Sequence, residues 1–327
     1  MNGENCFSPS RLFRNRHVQT ITASLRFRVH RNSTMIRKSR QCIIDTGVGT
    51  RLLGFHSSHD HKNSRGLVIL IHGWEGSSDS AYILHSGSFF FDREYDIFRL
   101  NLRDHGNSHH LNEGIFHGAL IDETTGAVAR IAEIARGGPV FLMGFSLGAN
   151  FALRIALRQS IGAVAGLRRV VAVSPVLDPY RSTVMIDEGL FLYRAYFIKK
   201  WKRSLRTKEK LFPDRYDFTN ILAATSILQM TDRLIRDYSD FGDCRDYFNR
   251  YTLKDGIFYD LQAPATIIMA EDDPVIPLDA LYRLKGNSFL SVDVRPYGGH
   301  CGFIDPFPFG CWYELHIENL FTKDLSS

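Results

Sequence analysis

Short, largely apolar runs alternate along this chain with longer amphipathic stretches. Residues 66–71 read GLVILI and stop at His72-Gly73, and comparable runs lie at residues 97–102, 140–143, 170–173 and 265–270. A continuous run of this length, closed by turn residues, predicts a strand buried on both faces. Residues 42–45 and 51–55 predict a short antiparallel pair ahead of these runs, and residues 292–296 a late strand behind them. Between the runs, residues 118–135 place Ala127, Val128, Ile131 and Ile134 on one helical face, and residues 150–157 continue as a helix beyond the third run. Strand and helix in alternation imply a mostly parallel, twisted sheet with helices on both faces. Residues 177–261 break the rhythm, being rich in aromatic and charged side chains without a buried-strand pattern. An insertion of that kind between two sheet strands predicts a helical cap. The expected organisation is therefore a basic N-terminal segment (1–40) packing on the core, a first core part (41–176), the cap (177–261) and a second core part (262–327).

Composition narrows the class. With 327 residues, 44% hydrophobic and 23% charged, the chain can bury a sizeable core. The net charge of +5 is too mild to imply nucleic acid, and the cations are clustered rather than spread. Cys6, Cys42, Cys244, Cys301 and Cys311 are odd in number and lack CxxC spacing, which suggests neither a disulfide framework nor a zinc site. Such cysteines suit a reducing compartment. Neither a signal-type apolar region near the start nor an apolar stretch of about twenty residues occurs, so a cytoplasmic protein is expected.

Candidate chemistry gathers at three places. Gly144-Phe145-Ser146-Leu147-Gly148 follows an apolar run and precedes a helical pattern, the context in which GxSxG presents a nucleophile. A sharp strand-to-helix turn exposes the Ser146 hydroxyl, and the helix N-terminus faces developing negative charge. His72-Gly73-Trp74-Glu75-Gly76 ends another run, and the N–H groups of Trp74 and Leu147 are the expected oxyanion donors. His72 is expected to brace this loop rather than to move a proton. Beyond the cap, one late strand ends in Glu271-Asp272-Asp273-Pro274 and the next in Gly298-Gly299-His300. A general base must reach the serine, and a carboxylate must hold its imidazole in the right tautomer. His300 is the expected base. Asp273, four residues before Pro277, is preferred as the acid over Asp272, since one residue of register decides which faces inward. Glu271 and Asp272 are then expected to be solvated loop charges. The order Ser, Asp, His is the one used by the α/β-hydrolase fold.

These motifs also resemble a family. Residues 14–21 (RNRHVQTI) look like the N-terminal NxHLQTI signature of the YheT-like hydrolases, bacterial predicted esterases and related eukaryotic α/β-hydrolase-domain lipases. HGWEGSS, GFSLGAN, AEDDP and GGHCGF match that family's blocks in order, and residues 228–251, with Asp243, Tyr247 and Tyr251, are similar to its cap. The resemblance covers nearly the whole chain and implies nucleophile, acid and base roles for Ser146, Asp273 and His300. Ala149 stands where that family usually has glycine, and Arg103-Asp104-His105-Gly106 looks more like a general α/β-hydrolase loop.

The expected activity is cleavage of carboxylic esters, small-molecule or lipid, without cofactor or metal. An acyltransferase or thioesterase with the same triad, or a non-catalytic binding protein on the fold, are the rivals. Residues 190–201 (LFLYRAYFIKKW), followed by Lys202, Arg203, Arg206, Lys208 and Lys210, are mixed apolar and basic. That pattern fits either a packed cap helix with a solvated face or peripheral contact with an anionic membrane at its inner surface. His56, His59 and His61 have metal-like spacing but no supporting carboxylate or cysteine pattern, so a surface loop is expected. His117 and Asp122 are candidates for the pocket entrance.

Overall fold

The computed structural model describes residues 7–29, 33–59, 64–305 and 309–326. His61 and Cys6 lie outside them. The described residues form one eight-stranded sheet of β1 (Ser39–Asp45), β2 (Arg51–Ser57), β3 (Leu67–Ile71), β4 (Asp96–Leu100), β5 (Val140–Phe145), β6 (Leu167–Val173), β7 (Ala265–Ala270) and β8 (Leu290–Arg295). They are ordered β1-β2-β4-β3-β5-β6-β7-β8. β2 runs antiparallel to β1 and β4, and every other neighbouring pair is parallel. The apolar runs are the central strands. Every residue of β3, β5 and β7 is buried, whereas the edge strands β1 and β8 are only half-covered.

Each face of the sheet carries its own core. Before the sheet come α1 (Arg16–Ser24) and α2 (Thr34–Arg37); within it lie α3 (Ala81–Phe91), α4 (Ile121–Ala132) and α5 (Leu147–Leu157). Residues 177–261 carry α6 (Pro179–Glu188), α7 (Phe191–Leu211), α8 (Thr219–Leu222), α9 (Ile227–Tyr238) and α10 (Cys244–Asn249), with no strand among them; α11 (Asp279–Arg283) and α12 (Trp312–Ser326) follow. Val128 and Ile131 of α4 and Phe151 and Ile155 of α5 pack one face together with the cap, while Phe90 of α3 and Tyr313 and Phe321 of α12 pack the other. The fold is the α/β-hydrolase architecture, with the carboxyl ends of its parallel strands facing the cap.

Two sequence expectations shift in detail. The helix anticipated from residue 118 starts at Ile121, because Gly118 is taken by the cap: its N–H donates to the Tyr247 hydroxyl at 2.9 Å. A Cβ at Gly118 would stand 2.6 Å from the Tyr251 ring. Lys208, placed by sequence on a solvated basic face, is 1% exposed. Its ammonium donates to Asp104 at 2.9 Å and to the carbonyls of His109 and Asn112, bolting the cap to the loop after β4. A buried ammonium needs this full set of acceptors.

Candidate active site

Ser146 sits at the turn between β5 and α5 with φ 55° and ψ −116°, a backbone conformation that costs a non-glycine residue about 1–3 kcal/mol. The neighbouring chain crowds this turn. A Cβ at Gly148 would lie 2.4 Å from the carbonyls of Ile71 and His72, and one at Gly73 would lie 3.0 Å from the Ser146 Cβ. The two glycines thus let β3's loop and the serine turn close on each other. Trp74 and Leu147 line the cavity that reaches Ser146, with the Leu147 amide in the first turn of α5.

From the far end of the sheet, His300 reaches the same point. Its Nε2 lies 3.0 Å from the Ser146 hydroxyl, which donates to it, and its Nδ1–H donates to Asp273 Oδ2 at 2.9 Å. The other oxygen of Asp273 accepts the N–H groups of Val275 and Ile276, which fixes the carboxylate, buried at 5% exposure, in its own turn. Burial alone would lower the His300 pKa, but the facing Asp273 charge and Cys301 raise it well above the usual histidine value. Asp272 does not touch the imidazole. It is half-buried rather than solvated, and accepts the Gly299 N–H at 2.8 Å, so it braces the loop that delivers His300. Burial raises its pKa.

Sequence reasoning on spacing did not find two further supports. The first is α1. Asn15 caps this helix by accepting from the N–H groups of His17 and Val18. Thr20 accepts the His300 N–H at 2.9 Å, and buried Gln19 brackets Ile304 by accepting its N–H and donating to its carbonyl. His17 meets the cap through the Tyr193 hydroxyl at 2.9 Å. The residues of the N-terminal signature thus clamp the histidine loop and the cap together. The second is His105, which joins His72, the brace expected from sequence, in a pair of neutral imidazoles that holds the loop after β3. His72 Nδ1–H donates to the Gly73 carbonyl and its Nε2 accepts the Leu102 N–H; His105 Nδ1–H donates to the Arg103 carbonyl and its Nε2 accepts the Glu75 N–H. Burial lowers both pKa values, that of His72 to about 4, which keeps the acceptor nitrogens free. Lys200 of α7 donates to the Glu75 carbonyl at 2.7 Å, and the Trp74 ring stacks on Phe197.

Two spaces meet at Ser146. A small cavity of about 90 Å³ runs under the cap, lined by apolar residues such as Leu147, Ile186, Ile235 and Ile276, with His117 among its walls. A larger groove of about 710 Å³ runs between α1 and α7 and is lined by His300. Asp122 lies elsewhere, exposed and paired with Arg158. Among the described residues, His85, Cys311 and Glu314 bring potential metal donors within 4.8 Å of one another. There the Arg28 guanidinium, 2.9 Å from the Cys311 sulfur, already supplies the positive charge, and His85 and Ser86 donate to Glu314. This cluster ties α12 to α3 on the opposite face of the sheet from the cap.

The sheet, the strained serine turn and the late acid and histidine define an α/β hydrolase. Residues 68–309 match the alpha/beta hydrolase family, and the chain belongs to it. It is 23% identical to "Putative esterase slr0264" of Synechocystis over 74% of this chain and 71% of that protein. It is 22% identical to "Phospholipase ABHD3" of Mus musculus over 80% of this chain and 64% of that one. The chain therefore spans less than two thirds of the mammalian relative. Among solved structures it superposes on the Pyrococcus furiosus esterase Pf2001 with a TM-score of 0.53 at 18% identity, covering 87% of this chain and 91% of that one. Est1E from Butyrivibrio proteoclasticus, bound to ferulic acid, gives a TM-score of 0.53 at 15% identity, covering 88% and 100%.

Proposed function

We propose that this protein is a serine hydrolase that cleaves carboxylic esters through an acyl-enzyme. The observation that carries this reading is the unbroken chain from the Ser146 hydroxyl through His300 to Asp273, at 3.0 and 2.9 Å. Ser146 Oγ gives its proton to His300 Nε2 and forms a bond to the acyl carbon. The resulting oxyanion accepts the N–H groups of Trp74 and Leu147, each such donor contributing about a hundred- to a thousandfold in rate. Collapse breaks the bond to the leaving alkoxide, which takes the proton from His300. Water then attacks the acyl-enzyme with His300 as base, and Ser146 recovers its proton. The relatives named esterase and phospholipase support this substrate class. Within the family, the work done by Asn15, His17, Gln19 and Thr20 supports a place among the YheT-like hydrolases. A fluorophosphonate probe tests the reading: it should label the native protein and leave Ser146→Ala unlabelled. An unlabelled native protein, folded by circular dichroism, sinks it.

The two spaces around Ser146 take different halves of the ester. A leaving alkoxide must lie beside His300 to be protonated, and His300 lines the groove rather than the small cavity. The alcohol half therefore occupies the groove and the acyl half the cavity. A dry cavity of about 150 Å³ holds benzene, so one of about 90 Å³ suits a short acyl chain. Along a series of p-nitrophenyl esters of rising acyl length, kcat/KM should peak at short chains and fall by about a hundredfold at long ones, since each overpacked methylene costs on the order of 1–3 kcal/mol. A steady rise to the longest chain would reverse the assignment of the two spaces.

A further inference from the structure

Eighteen large apolar side chains are exposed among the described residues, and their distribution is uneven. Seven belong to the two elements that flank the groove: Ile21, Leu25 and Phe27 on α1 and the turn after it, and Leu190, Phe191, Leu192 and Tyr196 at the start of α7. Phe27, Phe191 and Leu192 are 62%, 65% and 59% exposed, which is far more than packing requires. Four of the seven, Ile21, Leu25, Leu192 and Tyr196, also line the groove, so the apolar patch is continuous with the route to Ser146. Its net charge is positive. Arg26, Lys199 and Lys200 line the groove, and exposed Arg16 stands on α1 beside it. The lining acids are two. Asp79 is held by Arg99 at 3.1 Å, and burial pushes the Glu75 carboxyl up to about 8, which leaves it uncharged at neutral pH.

From the continuity of this patch with the groove and from its cationic rim, we infer that the α1 and α7 walls form a docking surface for an anionic lipid bilayer. Apolar side chains that project past a basic rim enter the headgroup boundary, while each cation near the surface gains about 1 kcal/mol from anionic lipid. Among the described residues no helix is long and apolar enough to cross a membrane, so this attachment is peripheral. It takes up residues 190–200 of the mixed apolar and basic stretch that the sequence suggested, and adds α1 to them. Trp201, Leu205 and Lys208 face inward, and the docking surface lies at the other end of α7, at the mouth of the groove. Docked this way, the protein opens its groove directly onto the bilayer.

Co-sedimentation with phosphatidylcholine vesicles, with and without about 30% phosphatidylglycerol, tests this at about 0.05 M and about 0.5 M salt. The protein should bind the anionic vesicles at low salt, bind about tenfold less at high salt, and leave the neutral vesicles largely unbound. Phe191→Glu and Phe27→Glu, one on each wall and neither lining the groove, should each weaken binding about tenfold. Turnover of a dissolved short ester by both variants should stay unchanged, which shows that they are folded. Equal binding to neutral and anionic vesicles overturns the proposal. So does the absence of binding at low salt, or binding that both variants leave intact.

Discussion

Ser146→Ala should lower turnover of a dissolved ester by about 10⁶, the loss expected if Ser146 is the nucleophile of the proposed triad. The same substitution leaves the strained turn in place, because alanine keeps the Cβ at φ 55°. Ser146→Gly separates chemistry from strain. Both variants should be inactive, but glycine relieves about 1–3 kcal/mol of backbone strain and returns about 0.4–1 kcal/mol as unfolded-state entropy. The glycine variant should therefore be about 1 kcal/mol more stable than the alanine variant, a rise of about 1.5 °C in Tm. Thermal melts of the three proteins measure it. Equal melting of the two variants would mean that the turn stores no strain, and the serine would then owe its exposure to the neighbouring loops alone.

The strands and the serine turn are legible locally, because a central parallel strand must be apolar throughout and a nucleophile turn must be followed by a helix. β3, β5 and β7 each end within two residues of their apolar runs. Long-range partners are what periodicity lacks. Lys208 reads as one more cation on a basic helix, yet its acceptors lie about a hundred residues earlier in the chain. Asp272 and Asp273 are adjacent and chemically identical. What separates them is that Asp273 accepts two N–H groups of its own turn and so aims its second oxygen at His300, whereas Asp272 turns toward Gly299. His105 carries no signal of its own, since its role is to offer a lone pair to a backbone amide brought in by a different loop. The N-terminal signature, conversely, is visible as a string, and only the fold explains why His17, Gln19 and Thr20 belong together: they face the cap, the segment after His300 and His300 itself.

Asp273→Asn tests the other end of the chain of hydrogen bonds. The base must be neutral to take the proton from Ser146, so in the native protein kcat/KM should fall as pH drops through the His300 pKa, which Asp273 holds well above the ordinary histidine value. Replacing the carboxylate by an amide removes the charge that raises this pKa and leaves the burial that lowers it. The acid limb of the pH profile should therefore move to lower pH. At the plateau, kcat should be about 10⁴ lower, because the imidazole loses the partner that fixes its tautomer and orientation, as occurs when a triad aspartate is replaced in other serine hydrolases. Asp272→Asn provides the contrast. Its carboxylate meets a backbone amide and not the imidazole, so a loss of about tenfold or less is expected, with the acid limb shifted far less. A pH–rate series on the three proteins decides between them. If Asp272→Asn is the variant that moves the limb and collapses the rate, the orienting role belongs to Asp272, and the hydrogen bond between Asp273 and His300 is not the one that drives the chemistry.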